Sequence, residues 1–172
     1  MCGILLSTNS NLSKNSFIGA LKLMHHRGPD ASGYLHIDNV QLGHQRLKIM
    51  DLDQRSNQPY RSRNKRYDIV FNGEIYNFKD LSKKYKIEQQ TTSDTEILIE
   101  LYSAYGPKML NWLNGMFAFA IYDNVTKEVF VARDRLGVKP LYMNKSNGVL
   151  SLASEMVSIL EFSRLNCFFT LA

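Results

Sequence analysis

The C-terminal third of the chain contains four short apolar stretches separated by turn sequences, and this pattern restricts the fold more than any other feature. "MFAFAIYD", "EVFVARD", "PLYMN" and "VLSLASE" each have the length of one strand, and "NVTK", "RLGVK" and "KSNG" lie between them. Short turns join antiparallel neighbours, whereas parallel strands need long crossover connections. The pattern therefore predicts antiparallel hairpins in this part of the chain.

Helical and extended segments alternate in the rest of the chain. "SDTEILIELYSAYG" is the clearest helix, with Ser93 and Glu96 spaced as a capping box and Gly106 at its end. "SFIGALKLM" predicts an earlier helix, capped by Asn15 or Ser16. "CGILLS", "GYLHID", "VQLGHQRLKI" and "DIVFNGE" predict strands. The whole sequence therefore predicts an α+β protein with mainly antiparallel sheets.

The composition is that of a soluble globular protein. The chain has 172 residues, of which 44% are hydrophobic and 22% charged, and its net charge is +5. The longest apolar stretch, "GMFAFAIY", is far too short to span a membrane, and no secretion signal is visible. Cys2 and Cys167 lie at opposite ends, which does not indicate a disulfide framework. We therefore expect a cytoplasmic location.

Much of the positive charge lies in "RSRNKR" and "KDLSKKYK", which we interpret as a solvated hairpin tip and a solvated helix face. No nucleic-acid module accompanies these runs, so we expect no nucleic-acid partner and no membrane partner. The sequence also lacks the glycine patterns of dinucleotide and P-loop sites.

A metal site is an alternative, because four histidines fall within a 20-residue window: His25, His26, His36 and His44. Two of them are adjacent, however, and no H-x-x-x-H or C-x-x-C pattern accompanies them. We expect no metal and no organic cofactor in this chain.

Cys2 directly follows the initiator methionine. Removal of Met1 would leave Cys2 with a thiol and a free α-amine, and an α-amine can serve as the base for an N-terminal nucleophile. The alternative is a small apolar residue at the start of an edge strand.

An N-terminal nucleophile needs hydrogen-bond donors for an oxyanion, and "FNGEIYN" supplies the best candidates. Asn72 offers a side-chain N–H, and the backbone N–H of Gly73 can approach a ligand closely because glycine has no Cβ. The alternative is a simple Asn-Gly turn.

Arg46 and Asp94 have opposite charges and lie in separate elements. A guanidinium can bind the carboxylate of an α-amino acid, and an aspartate can accept from its ammonium group. The alternative for Asp94 is an acid in the first turn of a helix, which is favourable whatever the function.

Eight blocks follow one another in an order that resembles a known family: "MCGI", "MHHRGPDASG", "LGHQRLKIMDL", "FNGEIYNFKDL", "TTSDTEILIELYSAYG", "LNGMFAFAIYD", "ARDRLGVKPLY" and "ASEM". They are similar to the N-terminal glutaminase domain of the glutamine-hydrolysing asparagine synthetases. That domain is a class II glutamine amidotransferase of the N-terminal-nucleophile (Ntn) hydrolase superfamily. The resemblance covers residues 1–160.

The resemblance implies a four-layer αββα sandwich, in which Cys2 is the nucleophile and Asn72 and Gly73 form the oxyanion hole. It further implies that Arg27 supports the site. The substrate-binding residues that it implies are Arg46, Leu47, Lys48, Ile49, Met50, Asn72, Gly73, Glu74 and Asp94. The segment 46–50 would border the substrate as a lid.

The implied reaction is hydrolysis of the side-chain amide of L-glutamine to glutamate and ammonia through a thioester. Ammonia would then serve ATP-dependent amide synthesis. The alternatives are a non-catalytic glutamine-sensing or assembly module, or an amidotransferase subunit that serves a sugar, peptide or antibiotic acceptor.

Two features depart from the family pattern. Lys48 stands where family members commonly have serine. The 172 residues also lack the S-G-G-x-D-S-type phosphate loop of the ATP-pyrophosphatase domain, which would bind ATP and Mg. We therefore expect residues 161–172 to be an apolar tail leading to a missing synthetase domain or subunit, with aspartate as the default acceptor. The sequence leaves a homodimer open.

Overall fold

Two antiparallel β-sheets, packed face to face, form the centre of the protein. The computed structural model describes residues 1–162 and 170–171. The first sheet has the strand order β10-β8-β9-β1-β3-β2, and the second has the order β4-β5-β6-β7. The strands are β1 (Gly3–Ser7), β2 (Ala31–Ile37), β3 (Val40–Arg46), β4 (Tyr60–Arg61), β5 (Tyr67–Ile75), β6 (Gly115–Asp123), β7 (Val129–Arg133), β8 (Tyr142–Ser146), β9 (Val149–Ala153) and β10 (Thr170–Leu171).

Helices cover the outer face of each sheet. The α-helices are α1 (Lys14–Lys22), α2 (Phe78–Lys84), α3 (Asp94–Tyr105) and α4 (Met156–Phe162). Short 3-10 helices occupy His25–Arg27, Gln54–Ser56 and Gly106–Trp112. Apolar side chains of α1 and α4 pack on the first sheet, and those of α2 and α3 pack on the second. The protein is therefore an α+β sandwich with four layers, as the sequence predicted. None of the described helices is long and apolar enough to cross a bilayer.

Alternate side chains of each central strand belong to two different hydrophobic cores, one between the sheets and one between a sheet and its helices. In β1, Ile4 and Leu6 face the space between the sheets, while Leu5 faces the helices on the outside. Val70 in β5 likewise faces the space between the sheets, and its neighbour Phe71 packs toward α2 and α3. Burial of both faces explains why the inner strands are apolar at consecutive positions.

The hairpins predicted near the C-terminus are confirmed for two of the three turns. β6 pairs with β7 and β8 pairs with β9, each through a short turn. Asn147 and Gly148 join β8 to β9 with φ angles of 50° and 76°, the left-handed backbone that a two-residue hairpin turn requires. This turn lies at the Ser7 end of β1, away from Cys2, because Ser7 pairs with Ser151. "RLGVK", in contrast, crosses from the second sheet to the first.

Two details of the helix starts differ from the predictions. Ser13, and neither Asn15 nor Ser16, caps α1, because its side chain accepts a hydrogen bond from the Ser16 amide. Ser93 caps α3 as predicted, but Glu96 does not return a hydrogen bond to it. The Glu96 carboxylate instead accepts from the amides of Gln90 and Thr91 and pairs with Arg63.

The arginines of "RSRNKR" lie at a hairpin tip, but they are not simply solvated. Arg61 pairs with Asp68 at 2.8 Å, and Arg66 pairs with Asp123 at 2.6 Å. These acids are buried, so the arginines neutralise carboxylates that would otherwise be costly to remove from water. The C-terminal segment 161–172 lies largely outside the described residues: its first two residues end α4, and residues 170–171 form β10.

His44 lies between the two sheets, on the same face of β3 as Leu42. Its Nε2 atom is 3.1 Å from the carbonyl oxygen of Phe71, and a carbonyl only accepts, so the ring carries its proton on Nε2. Burial lowers the pKa of His44 to about 3. The ring therefore stays neutral in the folded protein while the unfolded chain takes up a proton below its usual pKa of 6.5.

We expect His44 to reduce the free energy of unfolding as the pH falls from about 6.5 toward 3. One such group changes that free energy by about 1.4 kcal/mol per pH unit in this range. His44→Gln keeps a donor for Phe71 but cannot titrate. Denaturant unfolding of both proteins at several pH values should give a stability difference that shifts in favour of the variant as the pH decreases. A difference that is constant with pH would contradict this assignment.

Candidate active site

Cys2 lies at the start of β1, where the chain enters the space between the sheets. Side chains two positions apart point to the same face of a strand, so Cys2 lies on the same side as Ile4 and Leu6, which face the second sheet. Its Sγ atom is 3.5 Å from the amide nitrogen and 3.8 Å from the carbonyl oxygen of Leu47, just beyond the end of β3. The thiol is therefore held between the central strand of one sheet and the backbone that follows its neighbour.

Burial raises the pKa of the Cys2 thiol, while the Leu47 backbone and the positive charges of the N-terminus and Arg46 partly offset this effect. The thiol is consequently protonated at rest, and a base is needed to make it a nucleophile. Arg27 supports the backbone at this point, because its Nε donates to the carbonyl oxygen of Cys2 at 3.0 Å and its Nη1 donates to Glu155 at 3.1 Å.

Asn72 faces the same space from β5, since it alternates with Val70. Its side chain is almost completely buried, at 1% exposure. Its amide nitrogen Nδ2 has no hydrogen-bond partner among the described residues. An unpaired buried donor costs free energy, so its retention here indicates a position prepared for an acceptor.

The backbone amide of Gly73 is directed to the edge of β5 that faces away from β6. Both backbone groups of its partner Phe117 bond to Asp134 on the other side, so the Gly73–Phe117 pair is not hydrogen-bonded. The amides of Phe71 and Ile75 point to the same edge as that of Gly73, where Gln58 and Asp94 accept from them.

No side chain among the described residues accepts from the Gly73 amide. A Cβ at position 73 would collide with the backbone of Met116 and Phe117. Glycine is therefore required at this position by the close approach of β6.

A cavity of about 170 Å³ opens beside Cys2. Its small volume suits a ligand of amino-acid size, since sites for drug-sized ligands usually measure roughly 300–1,000 Å³. The structure brings together nearly all of the residues that the sequence predicted for the site. Those lining the cavity are Cys2, Arg46, Leu47, Ile49, Met50, Asn72, Gly73, Glu74 and Asp94. Lys48 does not line it; its backbone amide donates to Asp30 at 2.8 Å.

Arg46 holds the β3–β4 loop (residues 47–59) in place. Its Nη1 donates to the carbonyl oxygen of Asp53 at 2.8 Å and to Asn57 Oδ1 at 2.6 Å. Its Nη2 donates to the carbonyl oxygens of Met50 and Asp51. Four of the five guanidinium N–H groups therefore have acceptors in this loop, and no hydrogen bond of the Nε–H is found among the described residues.

Asp94 and Glu74 place two carboxyl groups in the cavity, and burial raises the pKa of both. For Asp94 the pKa reaches about 7, because burial and the charge of Glu74 outweigh the hydrogen bonds from the amides of Ile75 and Thr95. For Glu74 the charge of Lys139 opposes the effect of burial. A ligand that brings a positive charge would therefore be attracted to these carboxylates.

Lys139 and Gln58 line the cavity as well, although the sequence analysis did not select them. Lys139 is 5% exposed, and its Nζ lies 3.3 Å from the sulfur of Met1, which also lines the cavity. Lys139 belongs to the block "ARDRLGVKPLY", so its place in a motif was the available signal. Gln58 lies in a loop without any recognisable pattern.

The four histidines were the basis for the alternative of a metal site. Within residues 1–162 and 170–171, no group of three or more His, Cys, Asp or Glu side chains could hold a metal ion. His44 lies between the sheets, and His26 contacts Glu155 at the surface.

Residues 1–167 match the family model described as "Glutamine amidotransferase domain". The chain is 42% identical over 146 residues to asparagine synthetase B [glutamine-hydrolyzing] of Escherichia coli strain K12, covering 83% of this chain and 26% of that protein. It is 36% identical over 186 residues to a putative asparagine synthetase [glutamine-hydrolyzing] 2 of Methanocaldococcus jannaschii, covering 96% of this chain and 36% of that protein. The chain thus spans about a quarter to a third of these two relatives.

Two solved structures share the fold. One is an allosteric regulatory enzyme of purine biosynthesis, with a TM-score of 0.80, 22% identity, and coverage of 93% of this chain and 43% of the other. The second is glutamine phosphoribosylpyrophosphate amidotransferase from B. subtilis, with a TM-score of 0.74, 22% identity, and coverage of 92% and 43%. At this identity the likeness concerns the fold alone.

The pKa of Asp94 gives a testable expectation for ligands with an ammonium group. Such a ligand favours the ionised carboxylate, so affinity should fall as the pH drops through about 7, by up to tenfold per pH unit. We expect a Cys2→Ala protein to bind L-glutamine more weakly at pH 6 than at pH 8 in calorimetry. Adding Asp94→Asn, which keeps the shape of the side chain, should weaken binding and remove this pH dependence. If affinity depended equally on pH in both proteins, Asp94 would not be the group that binds the ammonium group of the ligand.

Proposed function

The chain belongs to the glutamine amidotransferase family, and on this premise we propose that it hydrolyses the side-chain amide of L-glutamine to glutamate and ammonia. One observation carries the proposal: Asn72, whose buried amide nitrogen has no hydrogen-bond partner among the described residues, lines the same small cavity as Cys2. A donor without an acceptor beside a nucleophile suits an oxyanion that exists only during the reaction.

The reaction begins when Cys2 Sγ attacks the side-chain amide carbon of glutamine. The α-amine of Cys2, freed by removal of Met1, takes the thiol proton and then delivers it to the departing ammonia. Asn72 Nδ2 and the Gly73 amide donate to the tetrahedral oxyanion. Water then attacks the γ-glutamyl thioester with the same amine as base, which releases glutamate and restores the thiol. No metal or organic cofactor takes part in these steps.

Substrate recognition in this proposal uses both charges of the amino acid. Arg46 binds the α-carboxylate through its remaining N–H group at Nε, and Asp94 and Glu74 accept from the α-ammonium. Leu47, Ile49 and Met50 border the substrate. Lys48, whose amide bonds to Asp30, contributes through the loop backbone.

The ammonia is proposed to serve an ATP-dependent synthetase domain or subunit, as the names of the relatives suggest for those longer proteins. Aspartate is then the default acceptor, and residues 161–172 lead toward that domain. A cytoplasmic location would keep the Cys2 thiol reduced. A non-catalytic glutamine-sensing module remains the alternative, but it would leave both the thiol and the Asn72 amide without a role.

We expect the 172-residue protein to release glutamate from glutamine without ATP. Cys2→Ala should abolish this release because the nucleophile is lost. A retained Met1 or an N-terminal tag should also abolish it, because Cys2 would then lack an α-amine. Mass spectrometry of the N-terminus, combined with a glutamate assay and circular dichroism, checks each protein. Full activity with a blocked amine would contradict the proposed base.

Asn72→Ala separates chemistry from binding. We expect kcat for glutamine hydrolysis to fall by about a hundredfold or more, since one oxyanion donor is typically worth that much. The KM should change far less, because Asn72 acts on the oxyanion and not on the two charged ends of the substrate. Steady-state kinetics measures both constants, with Asn11→Ala as a control because Asn11 is exposed and its only hydrogen bond in the described structure is made by its backbone amide. A loss confined to KM would assign Asn72 to ground-state binding.

A further inference from the structure

Asp51 is a half-buried residue of the β3–β4 loop that the reaction described above does not use. Only 3% of its side chain is exposed, although it follows Met50 at the rim of the cavity. Its φ angle is 46°, in the left-handed region that residues other than glycine rarely adopt. Aspartate adopts this region more readily than most residues, and the hydrogen bonds of its side chain hold it here.

The side chain of Asp51 connects the loop to the segment before α3. Its Oδ2 accepts from the Thr92 amide at 2.7 Å, and its Oδ1 accepts from the Asp53 amide at 3.2 Å. Arg55 adds an ion pair at 3.3 Å. Burial alone would raise the pKa of Asp51, but these hydrogen bonds and the Arg55 charge lower it to about 2. The carboxylate is therefore ionised throughout the physiological range.

The backbone of Asp51 contacts the other side of the site, because its carbonyl oxygen accepts from Nη2 of Arg46. One residue thus bonds both to Arg46, which extends from the first sheet, and to Thr92, two positions before Asp94. We infer that Asp51 is a positioning residue, which holds Arg46 and Asp94 at the separation required by the carboxylate and ammonium groups of one amino acid. This inference rests on the proposed function.

The inference also predicts which kinetic constant depends on Asp51. The groups proposed to perform the chemistry, Cys2, Asn72 and Gly73, lie on or next to strands β1 and β5, and their positions are set by the sheets. The link through Asp51 joins only the β3–β4 loop to the segment before α3. Its loss should therefore impair substrate binding much more than turnover.

The test compares Asp51→Ala and Asp51→Asn with Asp53→Asn. Asp53 lies in the same loop and carries the same charge, but among the described residues its side chain accepts only from the nearby Arg55 amide, so it is a matched control. We expect the KM for glutamine to rise about 10- to 100-fold in Asp51→Ala, since small displacements of binding groups have effects of this size. The rise should be smaller in Asp51→Asn, which keeps one acceptor oxygen, while kcat changes less than threefold in both.

Hydrogen–deuterium exchange provides a second measurement that does not depend on catalysis. Exchange should accelerate together in residues 47–57 and 91–94 of the Asp51 variants, with no change in Asp53→Asn. If wild-type protein releases no glutamate, the proposed function fails, and the exchange data still decide whether Asp51 links the two segments. An unchanged KM in an active Asp51→Ala protein, or equal effects in Asp53→Asn, would overturn the inference.

Discussion

The packing of the two sheets against each other determines where the groups of the candidate site that are carried by strands lie. Each strand that contributes to the site points every second side chain into the space between the sheets. The first of these side chains are apolar, and those nearest the site are polar. In β3 this succession is Leu42, His44 and Arg46, and in β5 it is Val70 followed by Asn72. The contacts that stabilise the sandwich therefore also bring its polar groups to one end.

Packing of the sheets also excludes water, and this affects the pKa values of the ionisable groups at the end of the sandwich where the candidate site lies. Burial moves the pKa of Cys2 and Asp94 upward and that of His44 downward, so each group is shifted toward its neutral form. Asp51 is the exception, because its backbone donors and Arg55 stabilise the ionised carboxylate. The protein thus keeps a permanent charge for holding the loop, while groups proposed to meet the substrate change their protonation more readily.

Patterns in the sequence predicted the elements, whereas contacts between distant segments escaped prediction. The strands and α3 were found because alternation and helical spacing are local properties. The chemistry of single residues supplied Cys2, Asn72 and Asp94 as candidates, and the resemblance to a known family favoured them over the alternatives. Gln58 and Asp51 were not found, because their acceptor roles depend on amides that lie 13 and 41 positions away. The predicted role of Glu96 in a capping box was wrong for a related reason, because its carboxylate accepts hydrogen bonds from the amides of Gln90 and Thr91 in the preceding loop.

The turn at Asn147 and Gly148 has a practical consequence for engineering. Both residues are exposed, their backbone is set by a local hairpin, and they lie at the Ser7 end of the first sheet, away from Cys2. Inserted sequence at such a loop tip disturbs few buried contacts. This position is therefore suited to a fluorescent reporter or an affinity peptide, which leaves the N-terminus, where the proposed nucleophile lies, without any extension.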